Sequence, residues 1–551
     1  LYSSSLAKRG IVLLFLIIAV FYFYGLGHLP FLGPDEPRYA QVAREMFLRG
    51  DLITPTLGGH TWFEKPALLY WMMILSFKLF GVSEWSARLP AAISGVLTIA
   101  AVFVVGRRVE TEKSLASNGY ALWSAVATAT MLGIVGFSRA ASFDILLTMT
   151  ITWTLGFYLL YEFSAVDSKP RNWLLVGFYC FVGVSLLAKG LVGIVIPAGV
   201  LGLFHLFQRR LPRKNVLYSM LWGPPLALLV AGLWYFPVTW RHGWVFIDQF
   251  FIQHHFARYI SNKYHHSQPV YYYLIVVPLL VLPWTTFLAA GLTQFKSWVW
   301  PRRAHDDQTD PTLKLLLPFA LSWFLFPLVF FSFSGSKLPG YILPILPAAA
   351  LIVGKQLSEL RQDFVSWQLR VTAAIYLVIA IGVIAYSWRT GDFPIKFAFL
   401  TAAPLFVAAS VPFVSTRRPD VSVALMAALT VVTLIAAAHW VAPRLAELES
   451  SRRLLQLADE RGYSQTAIYG MQRSDRTPEF YAAGRIVYGA DGEPVMYESG
   501  GQIIEESRKR QEVLLTFVPV GQVEQLTRFA PTETEVIGNN GRYAIVAVRA
   551  R

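Results

Sequence analysis

Gly33-Pro34-Asp35-Glu36-Pro37-Arg38-Tyr39-Ala40 follows the apolar run at residues 11–26 and opens an amphipathic segment that ends near Arg49. The run can cross a hydrocarbon core of roughly 30 Å, so it leaves two adjacent carboxylates, bracketed by prolines, just outside a membrane span. A bilayer protein does not need such a pair in order to fold. The stretch therefore predicts a helical membrane protein whose other spans bring a few charged residues to this pair. Lys8 and Arg9 precede the run and no small-residue cleavage site follows it, so it reads as a retained span rather than a signal peptide.

The rest of the chain repeats the pattern. Its 551 residues are 55% hydrophobic and 15% charged, with a mean hydropathy of +0.47. Apolar runs near 10–27, 87–106, 120–137, 143–161, 173–188, 190–207, 216–236, 271–292, 315–333, 340–358, 371–388, 396–414 and 420–440 predict about thirteen transmembrane helices. A helical bundle is the form that fits, because lipid-facing backbone must satisfy its own hydrogen bonds. The net charge of +14 comes from Lys and Arg dispersed in short loops, not gathered on one soluble face, and this argues against a nucleic-acid partner. Lys8/Arg9, Arg107/Arg108/Lys113, Lys169/Arg171, Arg209/Arg210/Arg213/Lys214, Lys296/Arg302/Arg303/Lys314, Lys355/Arg361/Arg370 and Arg417/Arg418 fall on one side, which the positive-inside rule makes cytoplasmic. An odd number of spans then puts the C-terminus outside. Cys180, the only cysteine, lies in an apolar run, which excludes an intrachain disulfide and a Cys-based metal site.

Two domains are expected, a transmembrane part at 1–442 with long outer loops at 28–88 and 237–270, and a small α/β domain at 443–551. In the first loop, residues 62–73 read as an interfacial stretch, since Glu64 and Lys65 stand at its start and Lys78 interrupts it. In the C-terminal part, helices are predicted at 452–461 and 503–511 and strands at 466–470 and 513–518. Asn539-Asn540-Gly541 predicts a hairpin turn into a strand at 543–548. No catalytic signature stands there, and a role covering the outer mouth of the bundle is expected.

The candidate chemistry lies on the outer side. Asp35 and Glu36 read either as a helix N-terminus before a proline or as functional carboxylates. Asp144 opens the fourth span, Lys189 separates the fifth and sixth, and Lys337 precedes the tenth. Ionisable residues in such places cost a few kcal/mol and by default face a cavity and a partner. Lys65 reads either as a snorkelling lysine or, with Arg258 and Lys337, as a phosphate-binding cation. Negative lipid phosphates are then the natural ligand. His254 and His255 belong to a group of five loop histidines, but no metal motif completes a site; a pair shared between Glu64 and His255 is open through the fold, while the sequence favours ordinary interfacial histidines. Walker, Gly-x-Gly-x-x-Gly and Gly-x-Ser-x-Gly patterns are missing. An enzyme of this design takes both substrates from the membrane.

Pro34-Asp35-Glu36-Pro37-Arg38-Tyr39, Trp62-Phe63-Glu64-Lys65-Pro66, Leu187-Ala188-Lys189-Gly190, Phe250-Phe251 with His255-x-x-Arg258, and Gly335-Ser336-Lys337-Leu338-Pro339-Gly340-Tyr341-Ile342-Leu343-Pro344 occur in order. Together they resemble the bacterial lipid A 4-amino-4-deoxy-L-arabinose transferases, members of the GT-C superfamily related to the protein O-mannosyltransferases. The resemblance covers residues 10–350 and fades beyond them. It implies a polytopic α-helical GT-C fold in the bacterial inner membrane, with the active site and C-terminus facing the periplasm. The donor would be undecaprenyl phosphate-aminoarabinose and the acceptor a phosphate of lipid A, in a monomer surrounded by membrane lipids. It implies Asp35 and Asp144 as functional acids, with Glu36 beside them, and Lys65, Arg258 and Tyr341 as donor-phosphate ligands, joined by Lys337 and Lys189. No cofactor is required, and a divalent metal such as zinc on Glu64 and His255 is the remaining option. One departure is that His254-His255 stands where Glu-His is expected before the arginine. Competing readings are another polyprenyl-phosphate-sugar transferase, such as a protein O-mannosyltransferase, and a lipid transporter or flippase.

Overall fold

The structure is a computed structural model that describes residues 5–110, 119–166, 170–257, 268–299, 311–360, 367–414, 418–472, 476–529 and 533–549. The first ten α-helices are α1 (Ser5–Phe23), α2 (Asp35–Arg49), α3 (Leu68–Phe80), α4 (Glu84–Glu110), α5 (Tyr120–Thr130), α6 (Leu132–Ser138), α7 (Phe143–Val166), α8 (Trp173–Lys189), α9 (Val192–Gln208) and α10 (Lys214–His242). Each of the thirteen apolar runs falls on a helix or on a bent pair of helices. Among the described residues eight helices are long and apolar enough to cross a membrane, and two bent pairs bring the candidates to ten. The remaining three runs form shorter apolar helices, α8 and α9 among them at 17 residues each. The protein is a multi-pass helical membrane protein.

The bent pairs differ from the straight spans expected of them. α5 and α6 meet at 58°, where Met131 is extended. The run at 271–292 becomes Tyr272–Val281 and Thr285–Leu292, turned by 120°. Pro283 has no backbone N–H to carry the helix through this point, and Leu282 before it is extended.

The chain reaches its sheet through a helical segment, Pro419–Glu449, that continues past the change in composition at residues 442–443. The expected strands and hairpin are present. The five-stranded sheet is built from β3 (Ile468–Met471), β4 (Met496–Tyr497), β5 (Leu514–Pro519), β6 (Thr534–Asn539) and β7 (Tyr543–Val548), in the order β4-β3-β5-β7-β6. A short pair, β1 (Thr56–Leu57) and β2 (His60–Thr61), lies in the first outer loop. Strand alternation divides the apolar side chains of the sheet between two faces. Ile545 and Ala547 face Leu454 and Leu455 of the helix Arg452–Glu460, while Ala544, Val546 and Val548 face Ile503 and Leu526 on the other side.

This sheet domain is fastened to the outer loop through residues 480–488. Phe480 joins the core beneath α2 and α3. The Tyr481 hydroxyl accepts the Phe31 N–H at 2.8 Å and donates to Glu84 at 3.1 Å. Arg44 donates to the Phe480 carbonyl at 2.7 Å and lies 3.9 Å from its ring centroid. The Tyr488 ring occupies the space beside Gly58, where an added Cβ would stand 2.2 Å from it on a backbone with φ of +60°. A Gly58→Ala variant will therefore lift Tyr488 away and expose the connection between bundle and sheet. Limited proteolysis should release the sheet domain faster than in the parent protein, and adding Tyr488→Ala should slow that release again.

Candidate active site

The two neighbouring carboxylates of the opening motif have opposite environments. Gly33, at φ of +62°, turns the chain into α2, and Asp35 and Glu36 occupy the first turn, where the helix dipole favours negative charge. The Glu36 side chain points inward and is 6% exposed. Its Oε1 accepts Arg88 Nε at 2.8 Å and the Ala141 N–H at 2.7 Å. Its Oε2 accepts Arg88 Nη2 at 2.8 Å and the Leu32 N–H at 3.0 Å. Four donors fill this carboxylate, which fits a positioning role better than proton transfer. The Asp35 side chain is half exposed and pairs with Arg38 one turn on.

Helix ends carry the other charges to the same place. Asp144 lies in the first turn of α7, its N–H bonded to Ser142 Oγ at 3.1 Å. Lys189 ends α8, the terminus that favours a cation, and forms an ion pair with Asp144. The Lys189 ammonium also lies 4.7 Å from the Tyr341 ring centroid. Tyr341 belongs to the 3-10 turn Pro339–Ile345. Its neighbour Gly340 must lack a side chain, because a Cβ would stand 2.1 Å from Asp144 Oδ2. Asp35, Glu36, Lys65, Asp144, Lys189 and Tyr341 line one cavity of about 140 Å³. Six sequence candidates, spread over 300 residues, thus meet at one site.

Lys337 does not line that cavity. It is buried, and its ammonium donates to the Ser334 carbonyl at 2.6 Å and the Gln268 carbonyl at 2.9 Å, which ties two loops together. Its buried charge is met by these backbone oxygens. Arg258 and the side chain of His255 lie outside the described residues. Glu64 is buried against Lys65 at 2.8 Å and Arg38 at 3.6 Å. Two cations on this carboxylate leave it poorly suited to a metal ion, and no group of three or more His, Cys, Asp or Glu among the described residues is arranged to hold one.

Arg38, Arg88 and Glu479 complete the site without having been singled out in the sequence. Arg38 contacts both Asp35 and Glu64 and lies over the rings of Tyr39 and Trp62. Burial alone would lower its affinity for the proton, but Glu64, Tyr39 and Asp35 outweigh burial and hold it charged. Burial, reinforced by Asp35 and Glu64, pushes the Tyr39 phenol well above its ordinary range. Glu479, brought by the sheet domain, is pushed up to about 7 by burial, against the opposing pull of Arg476 and Arg38. The spacing of Asp35 and Arg38 is a legible signal for the first of these residues. Glu479 has none.

With this geometry in view, the likeness to known proteins is specific. Residues 64–235 match the family described as dolichyl-phosphate-mannose-protein mannosyltransferase. An undecaprenyl phosphate-α-4-amino-4-deoxy-L-arabinose arabinosyl transferase of Pseudomonas paraeruginosa is 31% identical over 68% of this chain and 65% of its own. An Aquifex aeolicus protein of uncharacterized function is 30% identical over 69% of this chain and 80% of its own. The crystal structure of ArnT from Cupriavidus metallidurans bound to undecaprenyl phosphate superposes with a TM-score of 0.77 at 25% identity, covering 98% of both chains. The chain has the ArnT-like GT-C fold. It spans just under two thirds of the length of the Pseudomonas relative. Within this fold, the match to residues 64–235 takes in Lys65, Asp144 and Lys189 of the cavity.

Two expected outcomes separate anchoring from chemistry. Glu36→Ala leaves Arg88 buried without its partner and should cost about 3–5 kcal/mol, read as a fall in Tm. Asp35→Asn, at a half-exposed position, should leave Tm within a few degrees of the parent. The raised Glu479 carboxyl binds its proton more tightly in the folded protein than its ordinary value of 4.5 allows in the unfolded chain. Its contribution to stability is full below about 4.5 and is lost as pH rises through about 7. Glu479→Gln should flatten that part of a Tm-against-pH curve.

Proposed function

We propose that the protein moves 4-amino-4-deoxy-L-arabinose from undecaprenyl phosphate to a phosphate of lipid A, on the periplasmic face of the bacterial inner membrane. The observation that carries this reading is the cavity in which Asp35 and Asp144 meet Lys65 and Lys189 at one end of the helical bundle. The names of the relatives supply the donor and the sugar, and the distribution of Lys and Arg between loops supports the orientation. Modification of this kind lowers the negative charge of the outer surface and gives resistance to cationic peptides such as polymyxin.

In the reaction, the bond between the anomeric carbon and the prenyl phosphate oxygen breaks, and a bond to a lipid A phosphate oxygen forms. The polyprenyl phosphate leaves as an anion, and Lys65 and Lys189 stabilise its growing charge in a partly dehydrated site. Arg258 and Tyr341 are assigned to the same phosphate by family resemblance. The acceptor phosphate is ionised at neutral pH and needs no base. Asp35 therefore orients the acceptor or the sugar ammonium and stabilises positive charge at the anomeric carbon, while Asp144 holds Lys189 toward the leaving group. Glu36 fixes the turn that presents Asp35. No step requires a metal.

The match of residues 64–235 to protein mannosyltransferases keeps one second reading, a transferase with a hydroxyl acceptor on protein, for which Asp35 would serve as base. Expression in a strain lacking its own transferase should add an aminoarabinose mass to lipid A by mass spectrometry. A sugar mass on glycoproteins with unchanged lipid A would favour the second reading. Asp35→Asn should lower transfer at least about 100-fold, and a variant retaining near-parental transfer would remove Asp35 from the mechanism.

A further inference from the structure

A second cavity, of about 720 Å³, lies between α8, α9 and α10, a volume within the roughly 300–1,000 Å³ range of small-ligand sites. Its origin is the way these helices pack. α10 lies tight on α8, because Gly183 and Gly223 leave no room: an added Cβ would stand 2.6 Å from the Ala227 carbonyl or 2.1 Å from the Tyr179 ring. α9 approaches α8 at Gly193, where a Cβ would meet the Ser185 carbonyl at 2.6 Å, and at Gly199 it faces Phe326 of the helix Pro311–Ser332. The consecutive helices α9 and α10 thus part, and a cleft floored by Phe178 and Val182 and walled by Leu201 and Leu228 opens between them.

The cleft is apolar along its length and charged at one end. α9 carries the chain about 25 Å from the Lys189 end to the loop at Arg209, so that end lies on the opposite side of the bundle from the candidate active site. There the loop carries Arg209, Arg210, Arg213 and Lys214 in sequence, and Arg210 and Arg213 face a buried carboxylate, Glu162. Glu162 accepts Arg210 at 2.5 Å and Arg213 at 3.5 Å, which anchors the loop beside His205 and Pro212 at the mouth of the cleft. One carboxylate against four cations leaves an excess of positive charge at this end of the helices. An uncharged or zwitterionic headgroup does not complement that excess. A polyprenyl phosphate seated at the active-site lysines would place its phosphate at the other end.

We propose that this cleft is a binding site for an anionic phospholipid, whose acyl chain fills the space between α9 and α10 and whose phosphate meets the Arg209–Lys214 loop. Such basic pockets between membrane helices suit anionic headgroups.

The test uses the full-length protein purified in detergent, with binding read by native mass spectrometry and by Tm. The probes are phosphatidylglycerol, phosphatidylethanolamine with the same acyl chains, and undecaprenyl phosphate. Phosphatidylglycerol should remain bound and raise Tm where phosphatidylethanolamine does not. The paired change Arg209→Gln with Lys214→Gln should weaken phosphatidylglycerol binding about tenfold or more. Gly202→Leu should do the same by filling the cleft, since a Cβ at Gly202 meets nothing within 4 Å. Equal retention of the two phospholipids, displacement of phosphatidylglycerol by undecaprenyl phosphate, or binding unchanged in both variants would overturn the proposal. The comparison of the two phospholipids on the unaltered protein decides the matter even if a variant fails to fold.

Discussion

Glu36 and Arg88 hold the outer half of the molecule together. Arg88, on α4, donates to both oxygens of Glu36 and also to the carbonyls of Leu26, Leu29 and Pro30, at 2.7–2.9 Å. Glu36 in turn accepts the N–H groups of Leu32 and Ala141. The end of the first span, the start of α2, the start of α4 and the approach to α7 thus converge on a single buried ion pair. Such a pair is expensive to bury and is favourable only when its remaining donors and acceptors are satisfied, as they are here. The constraint places the N-terminus of α2 and the N-terminus of α7 on the same cavity wall, and that juxtaposition brings Asp35 and Asp144 together.

The charges in and beside the cavity are arranged as pairs: Asp144 with Lys189, Glu64 with Lys65, Asp35 with Arg38. A phosphate entering such a site does not find bare cations. It competes with carboxylates for them, and each carboxylate that yields part of its partner becomes available to a positive charge nearby. On the proposed function, a phosphate held by Lys65 and Lys189 would leave Asp144 and Glu64 more exposed electrostatically, close to where an amino sugar and its developing positive charge would sit. Ion pairing in the unliganded protein also meets the desolvation cost of gathering so many charges at the edge of a hydrocarbon layer.

How much of this was written in the sequence depends on the range of the signal. Span positions follow from local apolar runs, so all thirteen correspond to helices. The 120° turn within 271–292 was marked only by Pro278 and Pro283, and proline inside other helices, such as Pro224 and Pro225 of α10, does not break them. Asp144 and Lys189 stand at the ends of apolar helices, where a charge is costly unless it faces a cavity or a partner, and both line the cavity that Asp35 and Lys65 also reach. Lys337 obeyed the same rule and yet is satisfied by two carbonyl groups, because a buried lysine needs acceptors and backbone supplies them as well as a ligand does. Arg88 was hidden by its position at the start of a span, where a snorkelling arginine is ordinary. Its partner lies 52 residues away.

The sheet domain shows the limit of local reading most clearly. Its strands were legible from short apolar runs and a turn signal, and Phe480 and Tyr481 seat the domain on the first loop. Its composition gives no hint that it reaches the electrostatics of the site. Arg38, which pairs with Asp35, and Arg476 of the sheet domain both lie against Trp62, at 5.4 and 5.3 Å from its ring. Glu479 pairs with Arg476 at 3.1 Å and acts on Arg38 through the same buried region. A proton gained or lost at Glu479 thus changes the field at the guanidinium that holds Asp35. The domain is continuous, through charge and not through covalent chain, with the turn at Gly33-Pro34-Asp35-Glu36-Pro37.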